Sequence, residues 1–380
     1  MKICIVTHKL IKGDGQGRVN YEIVKTAIEC GLSVIIVSTE IDESLLKNNN
    51  ITWHRVRASI LPTNLLKYQH FALLSTYMIK KINPDFLILN GFITWVKSEM
   101  NIVHFVHSSW VDSIYHPFRE KKTIKTFYQF LYSFINSKLE KISLRSTKKI
   151  VAVSNKVKQE LLKIGMPESK IVVINNGVDI DEFTPNREGK PLFLHNNYYK
   201  RAMLFAGDIK SNRKNLGTVL KAMLMVPDIY LLVAGSKEGS IYPEVAEKMG
   251  LKERVIFLGY RNDIATLMSQ VDLFVFPTRY DPFSLVVLEA MATGTAVITT
   301  KEAGVSTLLE SKEYPAGIVL EDPNDENELA DAINKFIFNE KLLNEFGVNG
   351  RLIAEENSWS KVSKKYVTEM LNLNENRVRV

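Results

Sequence analysis

Short, mainly apolar runs recur along this chain, with amphipathic stretches between them. ICIVT, SVIIVS, FLILN, IVHFVH, IVAVS and IVVIN appear in the first half, then MLFAG, IYLLVAG, VIFLG, LFVFP and AVITT in the second. A strand that is apolar on both faces must be covered on both, and helical crossovers between parallel strands do this. The alternation predicts an α/β fold of doubly wound parallel sheets. A polar break, NREGKPLFLHNNYYKR at 186–201, interrupts it before it resumes. Two Rossmann-like domains are therefore expected, over 1–185 and 186–357, with a helical tail over 358–380. A length of 380 residues, 46% of them apolar, suits two cores better than one.

The two cysteines, Cys4 and Cys30, fall in the expected first strand and first helix without metal-ligand spacing. Buried thiols in a reducing cytoplasm are the expectation. The amino terminus starts on a strand and lacks the apolar core of a signal peptide. FALLSTYMI, 71–79, is too short to cross a bilayer. The net charge of +7 is uneven: residues 1–185 carry 25 Lys/Arg against 16 Asp/Glu. That excess points to an anionic partner for the first half. Nucleic acid is not expected.

The run FVFPTRYDPFSLVVLEAMATGTAVITT, 274–300, carries the most chemistry. It reads as a buried strand, a loop holding Asp281, a helix entered near Leu285 and carrying Glu289, and a turn at Gly294 before a new strand. In open α/β sheets ligands bind beyond the carboxyl ends of strands, where helix-entry amides can hold an anion. Carboxylates beside an anion repel it unless they accept hydrogen bonds from hydroxyls of the same ligand. A molecule with both phosphates and hydroxyls is a nucleotide sugar. Glu289 lies among Leu285, Val286, Val287, Leu288, Ala290 and Met291. A helix apolar almost all round needs a reason to carry a carboxylate, and ribose hydroxyls supply one.

This run resembles the glycosyltransferases of family 4, retaining enzymes of the two-domain GT-B fold, whose motif is Glu, any residue, Phe, Gly, four residues, Glu-Ala. Asp281, Phe283, Ser284 and Glu289 fall in its register, with Asp281 in place of the first Glu and Ser284 in place of the Gly. VAVSNKVKQELLKIGMPESKIVVINNGVDIDEF, 151–183, is similar to the family's junction segment, and MLFAGDIKSNRKNLGTVLKAM, 203–223, to its next signature. The resemblance implies two Rossmann-like domains facing a cleft. It also implies an acceptor-binding first domain, a donor-binding second domain, and a tail that crosses back onto the first.

It further implies roles for single residues. Asp281 contacts the donor sugar and Glu289 the ribose. Lys214 binds the diphosphate, with Arg213 supplying the charge missing at Asp208, where the family has Arg. Phe283, Ser284, Leu285 and Val286 complete the donor site at the helix entry. Gly15, in the glycine-rich loop KGDGQGRVNYE, lies beside the donor phosphate. His107, expected at the end of the strand NIVHFVH, stands near the reacting sugar carbon; His104 is expected to be structural. Cations placed on the departing diphosphate act mostly in the transition state and replace Mg²⁺, so no metal and no cofactor are expected. Asp179-x-Asp181 matches a metal signature of another glycosyltransferase fold, but it lies in the junction segment and is set aside.

Residues 118–149 hold nine Lys/Arg and two Glu around Phe127, Tyr128, Phe130, Tyr132 and Phe134. Such a stretch can rest on an anionic membrane from the cytoplasmic side. The expected function is transfer of a sugar, UDP-linked by preference, to a hydroxyl of a glycan or lipid-linked glycan in cell-surface polysaccharide synthesis. A nucleotide-sugar epimerase, a non-catalytic nucleotide-sugar binder and a dinucleotide dehydrogenase are the alternatives. Against the last, His8 to Lys12 separate the first strand from its glycines.

Overall fold

A computed structural model of the chain describes residues 2–57, 61–185, 201–227, 229–310 and 313–378, and the backbone of a short hairpin pairing Leu194–His195 with Tyr198–Tyr199. The chain divides into two compact units, Met1–Asn176 with Trp359–Val380, and Gly177–Ser358.

In the first unit the apolar runs become seven strands: β1 (Lys2–Val6), β2 (Ser33–Ser38), β3 (Ile51–Arg55), β4 (Phe86–Asn90), β5 (Met100–Val103), β6 (Lys149–Ala152) and β7 (Ile171–Val173). They form one parallel sheet in the order β3-β2-β1-β4-β5-β6-β7. The chain builds outward from β1 through β2 to β3, then returns to add β4 on the other side. A topological switch point therefore lies between β1 and β4.

Helix α1 (Gly15–Glu29) starts where the Asp14 carboxylate accepts a 2.7 Å hydrogen bond from the Gly17 amide. Helix α2 (Asn64–Ile82) is capped by Thr63 and stops at Asn83, which takes φ 48° just before Pro84. The short α3 (His107–Asp112) precedes α4 (Ile124–Ser146), which Thr123 and Thr126 open with a capping box. The tail helix Trp359–Val378 packs on α1: Thr26 Oγ1 and Ser363 Oγ lie 2.7 Å apart, and Val362, Tyr366, Val367 and Met370 are buried.

The second unit repeats the plan with β8 (Arg201–Ala206), β9 (Ile229–Ala234), β10 (Val255–Gly259), β11 (Leu273–Phe276), β12 (Ala296–Thr300) and β13 (Gly317–Leu320), parallel in the order β10-β9-β8-β11-β12-β13. Its switch point falls between β8 and β11, where Leu204 lies opposite Phe274. Phe205, Phe274, Phe276 and Phe336 are fully buried in its core.

Several expectations need correction. The first unit ends at Asn176, not 185. The Val178 amide donates to Asn357 O at 3.0 Å, and Arg351 Nη1 donates to Ile180 O at 3.1 Å, Phe183 O at 2.8 Å and Ala292 O at 2.8 Å. One guanidinium thus ties 177–185 into the second unit. Cys4 is buried, which pushes its thiol up to about 12, but Cys30 is exposed because it caps the end of α1. The strand expected to run through His107 stops at Val103; Trp110 N donates to Val106 O, and His107 opens a helix instead. The edge strands β3 and β13 were not anticipated.

Candidate functional site

The second unit gathers most of the residues singled out in the sequence at its switch point. A single 3₁₀ turn, Asn212–Lys214, follows β8 and carries both Arg213 and Lys214. Asn215 then takes φ 65° and enters α5 (Leu216–Ala222). Buried, it donates through Nδ2 to Pro277 O at 2.9 Å and also to Pro323 O, and accepts from Thr218 Oγ1 at 2.9 Å. One amide side chain thus locks the loop after β8 to the loop after β11. Arg279 reinforces the lock: its amide donates to Arg213 O at 2.9 Å, Nη1 to Asn212 O at 3.0 Å and Nε to Asn324 Oδ1 at 2.8 Å. Neither residue was identified from the sequence. An Asn directly before an apolar helix was the available sign of the first; Arg279 had none.

The lock aims Lys214 across the switch point. Its ammonium pairs with the Asp281 carboxylate and sits 5.0 Å from the centre of the Phe276 ring. The two side chains are only 14% and 13% exposed. The other Asp281 oxygen accepts from the amides of Phe283 at 3.2 Å and Ser284 at 2.8 Å. Burial alone would push the Asp281 carboxyl up. The Lys214 ammonium, the Arg213 guanidinium and the Phe283 amide outweigh it and hold the carboxyl below its usual range. Burial pulls the Lys214 ammonium below its own usual range, against the pull of Asp281.

Helix α6 (Leu285–Ala292) begins beside this pair. Ser284 enters it at φ 75°, a left-handed conformation that explains a glycine at the matching motif position. The Ser284 hydroxyl is buried with no hydrogen-bond partner among the described residues. Leu285 and Val286 are half-buried at the helix start, and Phe283 packs its ring into the core, offering the site its backbone. Glu289 is half-buried, while Val287, Leu288, Ala290 and Met291 around it are fully buried. The loop is braced from β12: Val305 N donates to Phe283 O at 2.8 Å and Gly304 N to Asp281 O at 2.9 Å. Lys214, Arg213, Asp281, Phe283, Ser284, Leu285, Val286 and Glu289 thus belong to two facing loops and one helix. Asp208 accepts from the Lys210 amide at 2.9 Å.

Gly15 and His107 belong to the first unit. Gly15 opens α1, whose entry Asp14 already caps, and Gly17 is required there because a Cβ would lie 2.7 Å from Ile11 O. Arg18 pairs with Glu22 at 2.8 Å. His107 donates its amide to Glu140 Oε2 at 3.0 Å. His104 Nε2 lies 3.1 Å from Asn90 Oδ1. Asp179 is engaged by the amides of Asp181 and Glu182 at 3.2 and 3.1 Å. Among the described residues no three His, Cys, Asp or Glu side chains group to hold a metal.

Burial pushes His8, His104 and His107 down to about 4 and Glu140 up to about 8. The folded imidazoles refuse protons that the unfolded chain takes up below about 6.5, so stability falls as pH drops from there towards 4. Folded Glu140 keeps a proton that the unfolded chain releases above about 4.3, so stability falls as pH rises from there to 8. Between about 4.3 and 6.5 these three imidazoles, and that of His116, which burial and Arg119 also lower, oppose Glu140; above that the imidazoles no longer titrate and Glu140 does. Thermal unfolding followed across pH should therefore peak near pH 6.5; a melting temperature that climbs steadily to pH 8 contradicts this.

Two doubly wound parallel-sheet units, the second with cations and carboxylates gathered beyond its strand ends, place the protein in the GT-B class. A profile of group 1 glycosyl transferases matches residues 195–353, and one of glycosyltransferase family 4 matches residues 13–182. The chain belongs to this glycosyltransferase family. It is 28% identical over 243 residues to an uncharacterised glycosyltransferase of Methanocaldococcus jannaschii, covering 60% of this chain and 61% of that one. It is 26% identical over 261 residues to the UDP-Gal:alpha-D-GlcNAc-diphosphoundecaprenol alpha-1,3-galactosyltransferase of Escherichia coli, covering 66% and 63%. The match thus spans less than two thirds of these curated relatives. Among solved structures, sucrose-phosphate synthase from Thermosynechococcus elongatus superposes with a TM-score of 0.79 at 18% identity over 98% of both chains. HepE of Anabaena, in complex with UDP and glucose, superposes with a TM-score of 0.70 at 18% identity over 98% of this chain and 99% of that one.

Proposed function

We propose that the protein transfers a sugar, with retention, from a UDP-sugar to a hydroxyl of a glycan or lipid-linked glycan in cell-surface polysaccharide synthesis. The observation that carries this is the largely buried Lys214–Asp281 pair beside the orphan Ser284 hydroxyl and the start of α6. A diphosphate entering this switch point meets Lys214 and Arg213, and the amides at the helix start favour negative charge. Charge grows on the diphosphate as the sugar leaves, so the same cations act most strongly in the transition state. Asp281 then accepts from donor-sugar hydroxyls and Glu289 from the ribose. His107, neutral at physiological pH, orients a hydroxyl. With the charge met by side chains, no metal is needed. The names of the Escherichia coli relative and of the HepE complex support UDP, and the family resemblance supports retention. A thermal-shift screen of nucleotide sugars, followed by transfer assays in EDTA, tests the reading. UDP-sugars should raise the melting temperature most, and a chain that none of them stabilises or serves as donor is not this enzyme.

Attachment to an anionic membrane belongs to the same proposal. Helix α4 is inverted: Ser133, Asn136, Ser137, Glu140 and Ser143 are buried, while Ile124 (93% exposed), Phe127, Leu131, Phe134 and Ile142 face outward. Exposed Lys121, Lys122, Lys125, Lys138, Arg145 and Lys148 flank that stripe. Helix α2, joined to α4 where Leu65 N donates to the Tyr128 hydroxyl at 3.1 Å, adds exposed Leu66, Leu73 and Tyr77. An apolar stripe edged by lysines suits an interfacial helix. Among the described residues no helix is long and apolar enough to cross a membrane. Co-sedimentation with liposomes should rise with phosphatidylglycerol content and drop on Phe127→Ser/Leu131→Ser; indifference to anionic lipid removes the membrane from the proposal.

A further inference from the structure

The second unit's switch point carries an anion of its own. One Asp281 oxygen accepts from the amides of Phe283 at 3.2 Å and Ser284 at 2.8 Å, and the other pairs with the Lys214 ammonium. These two amides and this ammonium are the groups that a diphosphate at the entry of α6 requires. One short side chain holds all three.

The surrounding charge does not favour an incoming anion outright. Lys214 and Arg213 both act on Asp281, and Asp208 acts on Lys214. Asp208 is exposed, so water and salt screen it, whereas Asp281 is largely buried and its charge is felt more fully. Two cations thus face two carboxylates, and a diphosphate gains Lys214 only by taking the place of the closer one. The backbone around that carboxylate is pinned: Asp281 N donates to Glu302 O at 3.0 Å, and Gly304 N donates to Asp281 O at 2.9 Å. Lys214 keeps the Phe276 ring at 5.0 Å, and the neighbouring Asn215 side chain ties its loop to Pro277. Rotation of the Asp281 side chain alone therefore breaks the three contacts together, because all of them end on one carboxylate.

We infer that Asp281 is a built-in counter-anion, which the donor's diphosphate displaces from Lys214 and the amides at the start of α6. This rests on the donor site proposed above and adds a coupling to it. The carboxylate becomes free for the sugar hydroxyls only once the diphosphate is seated. Opening the pair also lowers the affinity of every phosphate-bearing ligand, and a ligand without phosphate leaves the pair closed.

Calorimetric titration of the full chain with inorganic pyrophosphate, UDP and uridine, beside Asp281→Asn, tests this. Asparagine keeps an acceptor for the two amides and lacks the charge. Pyrophosphate and UDP should each bind Asp281→Asn about tenfold more tightly than the unaltered protein, with no such difference for uridine. Without ligand the variant should melt lower, since Lys214 loses its counter-ion, and saturating pyrophosphate should close the gap. Transfer should nonetheless slow about tenfold, because a neutral amide accepts a sugar hydroxyl less strongly than a carboxylate. Unchanged or weaker pyrophosphate binding by Asp281→Asn overturns the inference: Asp281 would then be a sugar contact and no competitor. Carbon-13 NMR of the aspartate carboxyls gives a second reading in the unaltered protein. Burial would raise the Asp281 carboxyl, but Lys214 and Arg213 hold it below its usual range. It should titrate higher once pyrophosphate has taken Lys214, and an unmoved midpoint also overturns the inference. Failure of the unaltered protein to bind either pyrophosphate or UDP sinks the donor site itself, and this inference with it.

Discussion

Lys214→Ala is expected to lower kcat/KM for the nucleotide sugar by roughly 10²- to 10³-fold, the usual effect of deleting one charge-stabilising group. It should also destabilise the protein. Lys214 and Asp281 are nearly buried, and removing the ammonium leaves the carboxylate without its counter-ion. Breaking one partner of a buried pair costs about 3–5 kcal/mol. The loss carries its own pH signature. In the unaltered protein Asp281 is held below its usual range, so its contribution is complete above about 3.9, the unfolded value, and fades as pH falls through the folded one. In the variant only Arg213 and the Phe283 amide still oppose burial, so the carboxyl moves up, and acid relieves the penalty by protonating it. The gap in melting temperature should therefore narrow on acidification. Lys214→Met/Asp281→Asn removes both charges, keeps an acceptor for the Phe283 and Ser284 amides, and should recover part of the melting temperature with none of the transfer. Full transfer activity in a folded Lys214→Ala protein would falsify the proposed site.

Glu289→Ala should act mainly on binding. The side chain is half-exposed and alanine is the best helix former, so the melting temperature should change far less than in Lys214→Ala. Affinity for UDP should drop roughly 10- to 100-fold, because hydrogen bonds to a charged group are worth about 1.5–3 kcal/mol. Calorimetric titration with UDP reads this directly. Glu289→Gln, which keeps the shape and one acceptor, should fall between. An unaltered UDP affinity in both variants would mean that Glu289 is an ordinary helix acid.

The central strands were legible because burial on both faces demands an unbroken apolar run, as in KICIV of β1 and LFVF of β11. Two of the four edge strands were not. ITWHR of β3 mixes polar with apolar residues, and GIVL of β13 is a four-residue run that is mostly half-exposed. NIVHFVH misled for the reverse reason: its apolar residues continue past Val103 into a turn that is itself buried, and Val106 is fully covered. In the glycine-rich loop, expected beside the donor phosphate, the structure adds what the sequence did not show: Asp14 caps the helix and Gly17 packs closely on Ile11.

The residues of one local segment, Asp281 through Glu289, were readable together because strand, loop and helix follow in order and their spacing sets their faces. Periodicity and chain order dictate that much without coordinates. The pairing of Lys214 with Asp281, 67 residues apart, was not in that order. It arises because β8 and β11 are neighbours across a switch point and Asn215 ties their loops together. Nor does chain order show that burial beside β1 holds His8, His104 and His107 low and Glu140 high. Local pattern depends on which faces each segment must cover; proximity between distant side chains, and the charge they carry there, depends on which strands the folded sheet makes adjacent.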